Sequence, residues 1–263
     1  MNIIGQLEMK LKQLRLTGML ETLEVRSKQA EQSNCGYLDF LMTLIEDEYE
    51  RKRSKQLLKR LKKAGFEEEK TIESFAFSFN PEIPVKIIKE LSNCAYIDKR
   101  ENVFLLGPVG VGKTHIAQAL GHVACRMGYD VLFTKAVKMF RYINGGRADN
   151  TFEIRLKRYS SCQLLIIDDF GLKPLTPFQS DDFYEIVSER YMKTSIIFTS
   201  NRDIDEWQGL FPDPIIGNSV MDRISHNAHQ IVMLGESYRN RGIVDFQINS
   251  PVCFKLIPQF VSE

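Results

Sequence analysis

Hydrophobic positions recur at two different periods along this chain. From Met1 to about Gly65 the period is helical. Ile4, Leu7, Leu11, Leu14 and Leu16 fall at spacings near three and four, the stripe that a core-facing helix needs. Gly18 interrupts, and a second run follows through Leu20, Leu23 and Val25. Residues Tyr37 to Ala64 read as one long helix with Leu38, Leu41, Leu44 and Ile45 on one face, and Gly65 as its terminator. There is no proline and no strand-like alternation here. The pattern predicts a small all-helical N-terminal domain over residues 1–65.

Over residues 66–84 that pattern stops. The acidic run Glu67 to Glu69 leads into SFAFSFNPEIP, with Asn80, Pro81 and Pro84, which reads as a linker or lead-in loop. From Val85 short apolar runs alternate with helical patterns. Strands are expected at Asn102 to Leu106, Asp130 to Thr134, Leu164 to Asp168, Ser195 to Ser200 and Gln230 to Leu234. Helices are expected at Thr114 to Met127, Ala136 to Ile143 and Gln179 to Tyr191. Such alternation predicts a buried parallel sheet of five strands with helices on both faces, over residues 85–248. The tail 249–263 carries no pattern that assigns it.

Chemistry enters at Gly107-Pro108-Val109-Gly110-Val111-Gly112-Lys113-Thr114. The run fits G-x-x-x-x-G-K-[ST], with an apolar strand before it and an Ala/Leu-rich helix after it. Its glycines let backbone N–H groups turn onto phosphate oxygens, and the helix N-terminus adds partial positive charge. Lys113 is expected to reach the β- and γ-phosphates of ATP, and Thr114 to offer its hydroxyl to Mg²⁺. The stretch expected to touch nucleotide runs from Gly107 through His115.

Leu164-Leu165-Ile166-Ile167-Asp168-Asp169 is a buried-strand pattern ending in two carboxylates. Asp168 suits the Mg²⁺ side of an ATPase, and Asp169 suits the general base that polarises the attacking water. Asn201 ends the strand IIFTSN, where it either meets the γ-phosphate or its water, or simply starts a turn. Arg223, in Met221-Asp222-Arg223, could neutralise transition-state charge across a subunit boundary, but by residue type alone it better suits a surface ion pair.

Taken together, GPVGVGKT, LLIIDDFG, IIFTSN, SVMDRISHNAH and GESYR resemble the IstB-like ATP-binding proteins. These are AAA+ ATPases similar to helicase loaders, and they help insertion-sequence transposases. The resemblance spans nearly the whole chain. It implies Walker A roles for Lys113 and Thr114 and the Walker B role for Asp168. It also implies sensor 1 for Asn201, an arginine finger for Arg223 and sensor 2 for Arg239. Two departures stand out. Asp169 occupies a position that is usually Glu, one methylene longer, which implies slow hydrolysis. The stretch after the last strand is short for the usual helical lid, which leaves the role of Arg239 open.

Composition narrows the partners. The chain has 263 residues, 43% hydrophobic and 26% charged, and a formal net charge of +1, so attraction to DNA must come from a local patch. RKRSKQLLKRLKK supplies one, with eight cations and no acid: Arg51, Lys52, Arg53, Lys55, Lys59, Arg60, Lys62 and Lys63. It suits DNA phosphates, an acidic partner, or a solvated helix face paired with the acids of EDEYE before it. The resemblance favours double-stranded DNA or a transposase. Five dispersed cysteines with no CxxC pair, no signal-like N-terminus and no window of the roughly 18 to 20 apolar residues that a membrane span needs point to a cytoplasmic protein without membrane contact. The expected function is an ATP-dependent transposition helper that assembles as an oligomer on target DNA. A replicative helicase loader and a nucleotide-dependent scaffold with negligible hydrolysis are the alternatives.

Overall fold

The computed structural model describes residues 3–238. The N-terminal part is three helices: α1 (Ile3–Gln13), α2 (Thr17–Ser33) and α3 (Tyr37–Ala64). The break between α1 and α2 falls at 14–16, where Arg15 takes φ 57°, and not at Gly18. Gly18 sits in the first turn of α2 because α3 presses against it. A Cβ there would come within 2.7 Å of the Glu48 Cα. The buried Glu48 carboxylate accepts from the Gly18 N–H at 2.5 Å and the Met19 N–H at 3.2 Å. It thereby caps α2 from a neighbouring helix and favours the positive end of the helix dipole. On α3, Leu44 is buried, whereas Leu38, Leu41 and Ile45 are exposed. The apolar face expected from spacing is therefore only partly covered among the described residues.

The last turns of α3 do something else. Ala64 is buried, Leu57 and Leu61 pack on the core beside it, and Lys63 pairs with Asp130 at 3.0 Å. Gly65 ends the helix at φ 74°. Residues 66–84 then pack rather than dangle: Ile72, Phe75 and Ile83 are buried and Phe66 stacks on His122.

The remaining elements are α4 (Val85–Leu91), α5 (Ala95–Asp98), β1 (Asn102–Leu106), α6 (Lys113–Met127), β2 (Val131–Lys135), α7 (Ala136–Gly145), α8 (Phe152–Ser160), β3 (Leu164–Asp168), α9 (Pro177–Arg190), β4 (Ser195–Ser200), α10 (Pro214–Ser225) and β5 (Ala228–Val232). The five strands form one parallel sheet in the order β2-β3-β4-β1-β5. Three strands start and stop where the alternation places them; β2 begins one residue later and β5 two residues earlier.

Side chains alternate across each strand, so the sheet has two cores. Val103 and Leu105 face α6 together with Ile166 and Ile197. Phe104 and Leu106 face the other side with Leu165, Phe198, Phe183 and Trp207. Each such fully buried side chain contributes roughly 1.5–3 kcal/mol. No described helix is long and apolar enough to cross a membrane.

Candidate active site

In this strand order β4 lies between β3 and β1. The C-terminal ends of those three strands therefore bring together residues 107–114, 168–169 and 199–201, which are far apart in sequence. That edge is where open α/β sheets bind ligands.

The loop after β1 is held open by contacts that only glycine allows. Gly107 has φ 141°, and a Cβ on it would stand 2.1 Å from the Met233 carbonyl oxygen. Gly110 has φ 86° and is in close contact with Ser237. Val111 anchors the loop in the core, while Val109 is exposed at its tip. Lys113 folds over the loop. Its Nζ donates to the Gly107 and Pro108 carbonyls at 2.7 Å each and to Asn201 Oδ1 at 2.6 Å. A cation and the polar residue that follows β4 thus meet over the glycine-held loop.

Asp168 is buried at the end of β3. Its Oδ1 accepts from Thr114 Oγ1 and from Thr199 Oγ1, each at 2.7 Å. Its Oδ2 is buried and has no hydrogen-bond partner. Burial raises the carboxyl above the ordinary carboxylate range; Asp169 adds to the rise, and the two hydroxyls and Lys135 oppose it. A buried carboxylate oxygen left unsatisfied beside a threonine hydroxyl fits a hard divalent cation. Thr114 and Asp168 are the residues that would hold Mg²⁺.

Asp169 takes the left-handed region at φ 57°, and its N–H donates to Thr199 Oγ1 at 2.9 Å. Thr199 therefore holds both aspartates at once. Sequence reading missed it, because a buried threonine in a strand looks like ordinary β-propensity. It also missed Lys135, which pairs in register with Asp168 and forms an ion pair with Glu67 at 2.9 Å.

Other expected residues lie elsewhere. His115 turns from the loop towards the lead-in, with Nε2 2.9 Å from the Thr71 carbonyl oxygen and 3.3 Å from Ser74 Oγ. Arg223 lies near the C-terminus of α10, beside Asn102 at the start of β1; Asn102 Nδ2 donates to the Ile224 carbonyl at 2.9 Å. That is the opposite end of β1 from the loop, on the order of 15 Å away at about 3.3 Å per residue. Arg239 lies outside the described residues. The segment before it closes over the loop: the Tyr238 N–H donates to the Gly110 carbonyl at 3.0 Å. Asn80 pairs with both backbone groups of Glu236 at 3.0 Å. Within the basic stretch, Arg51, Lys52, Arg53 and Lys63 form ion pairs with Glu21, Glu48, Glu50 and Asp130. Lys55, Lys59 and Lys62 are exposed and Arg60 is half-buried.

The profile of the IstB-like ATP binding protein family matches residues 9–244. An insertion-sequence ATP-binding protein of Mycobacterium tuberculosis is 43% identical over 232 residues, 88% of this chain and 92% of that protein. An insertion-sequence ATP-binding protein of Pseudomonas aeruginosa is 34% identical over 234 residues, 89% of this chain and 88% of that one. Among solved structures, DnaI is similar with a TM-score of 0.56 at 19% identity, covering 63% of this chain and 92% of that one. AMPPCP-bound DnaA from Aquifex aeolicus is similar with a TM-score of 0.53 at 23% identity, covering 62% of this chain and 50% of that one. The likeness to these two establishes a shared fold.

Proposed function

The chain belongs to the IstB-like ATP-binding proteins, and from that premise we propose that it is an ATP-dependent helper of DNA transposition. The observation that carries the reading is the meeting of Lys113, Thr114, Asp168 and Asn201 around a glycine-held loop. The relatives' names tie such a chain to insertion sequences.

Lys113 binds the β- and γ-phosphates of ATP, exchanging its two carbonyl contacts for phosphate oxygens. Loop N–H groups hold the remaining oxygens. Thr114 and Asp168 would hold Mg²⁺, which would neutralise charge on the phosphates. Asp169 orients and polarises the water, and Asn201 fixes the γ-phosphate side of that water. Arg223 cannot reach its own loop across the length of β1. It serves the ATP of a neighbouring copy in an oligomer. In the ATP state the assembly binds duplex DNA through cations of α3, notably Lys55, Lys59 and Lys62, and engages a transposase in the cytoplasm. Hydrolysis to ADP and phosphate resets it.

A scaffold with negligible turnover is the second reading, favoured by one feature. Asp169 is shorter than glutamate and sits in a left-handed backbone conformation held by Thr199. The test is duplex DNA binding with ATP against ADP, followed together with oligomer size and phosphate release. ATP-dependent assembly with DNA-stimulated release is expected. Assembly without release favours the scaffold. Binding indifferent to nucleotide sinks both readings. Lys113→Ala is expected to abolish ATP binding; unchanged nucleotide affinity refutes the loop assignment.

A further inference from the structure

The edge strand β2 is tied down at both ends by one short stretch of chain. At its start Lys63 pairs with Asp130 at 3.0 Å, and at its end Glu67 pairs with Lys135 at 2.9 Å. Between these two pairs Gly65 runs alongside the strand; a Cβ on it would stand 3.8 Å from the Phe133 carbonyl oxygen. Gln118, buried on α6, accepts from the N–H groups of Glu67 at 3.1 Å and Glu68 at 3.3 Å. The junction between α3 and the lead-in is thus fastened both to β2 and to the helix that follows the phosphate loop.

Glu67 carries two ammonium groups at once. Its Oε2 pairs with Lys135 and its Oε1 with Lys138, each at 2.9 Å. Together they hold its carboxyl below the usual carboxylate range. Lys135 can therefore leave without stranding the carboxylate, because Lys138 stays behind.

Lys135 also has somewhere to go. It is in register with Asp168, so the two Cα atoms lie about 4.8 Å apart and both side chains project from the same face of the sheet. The flexible four-carbon stem of a lysine spans such a gap. The bond to Glu67 does most to favour the charged form of Lys135, and Asp168 and Asp169 add to it. The Oδ2 of Asp168 is buried with no hydrogen-bond partner. An ammonium and a divalent cation would seek that same oxygen, and only one of them can hold it.

We propose that Glu67 is a positioning residue for the metal site: by retaining Lys135 it keeps the free oxygen of Asp168 open to Mg²⁺, and when the lead-in shifts, Lys135 crosses to Asp168 and closes it. This rests on the reading of Asp168 as a Mg²⁺ ligand. Glu67 lies two residues beyond Gly65, where α3 ends. The N-terminal helices thereby gain a hold on the metal site through a single ion pair.

The test uses the full-length protein. Mg²⁺ is titrated against a fixed concentration of a fluorescent ADP analogue, and the concentration giving half of the metal-dependent gain in binding is read. Glu67→Gln keeps the shape of the side chain and removes its charge. It is expected to raise that concentration about fivefold or more, the size of one partly exposed ion pair. Glu67→Gln/Lys135→Gln is expected to return to the parental value or below it, because the competing ammonium is gone. A purely structural loss at Glu67 would be deepened, not repaired, by removing its partner. A parental Mg²⁺ requirement in Glu67→Gln overturns the inference, and so does a double variant that stays shifted. Asp168→Asn in the same titration separates this from the reading beneath it. If Asp168→Asn keeps the parental Mg²⁺ dependence, Asp168 is not a metal ligand and both fall. If it loses that dependence while Glu67→Gln does not shift, only the role of Glu67 falls.

Discussion

Thr199 makes two hydrogen bonds that need a side-chain hydroxyl. Its hydroxyl donates to Asp168 Oδ1 at 2.7 Å and accepts from the Asp169 N–H at 2.9 Å. Thr199→Val keeps the shape and deletes both. The bond to a buried carboxylate is worth roughly 1.5–3 kcal/mol, and an N–H left without an acceptor costs roughly 1–3 kcal/mol. Valine recovers part of this by burying a methyl group. A net loss of about 3 kcal/mol is expected, which lowers the melting temperature by about 6–12 °C in a domain of this size. Asp168 keeps only the Thr114 bond, so its free oxygen is no longer aimed. Titration of a fluorescent ADP analogue with and without Mg²⁺ is expected to show that the metal's contribution to affinity falls. Thr199→Ser retains the hydroxyl and is expected to restore both readouts. If Thr199→Val melts with the parent and keeps its Mg²⁺ dependence, the positioning argument is wrong.

Gly110→Ala places a methyl group on the Ser237 contact at a backbone φ of 86°; nucleotide affinity is expected to fall with little change in the far-UV spectrum, and Ser237→Gly is expected to recover part of it. Burial, opposed by bonds to the Thr71 and Glu68 carbonyls, lowers the pKa of His115 and His122. Their contribution to stability is therefore complete above the unfolded value of about 6.5 and is lost as pH falls through the depressed folded values. Urea midpoints are expected to drop between about pH 7 and 5.5, less steeply in the His115→Gln/His122→Gln double variant; equal slopes refute the assignment.

The strands of the sheet were legible because each is a short apolar run closed by polar or turn residues, and buried parallel strands have no other way to be written. That Asp168 and the loop would meet was legible because each follows a short apolar run that reads as a parallel strand. Thr199 was not, since it acts through contacts with residues brought near only by the strand order. Gly18 misled for a related reason. A glycine in a helical pattern reads as a break, yet here it admits the backbone of α3. His115 follows the loop motif directly in sequence, but the turn of α6 points it to the lead-in. The lead-in read as a linker or loop because its aromatics have no period, and the core they fill is formed with other segments.

One further consequence comes from α3. It is a single helix of 28 residues, about 42 Å long at 1.5 Å per residue. Its last two turns are embedded against the sheet, and the remaining 20 or so residues project as an arm of about 30 Å that carries α2. Such an arm converts angle into distance. A 5° change in how Leu57, Leu61 and Ala64 sit on the core moves its tip by about 2.6 Å, close to half a helical turn. The Lys63–Asp130 pair lies at the pivot, one residue before β2 begins. The same strand ends at Lys135, opposite Asp168. The mechanical gain of the N-terminal helices is therefore set at the strand that flanks Asp168.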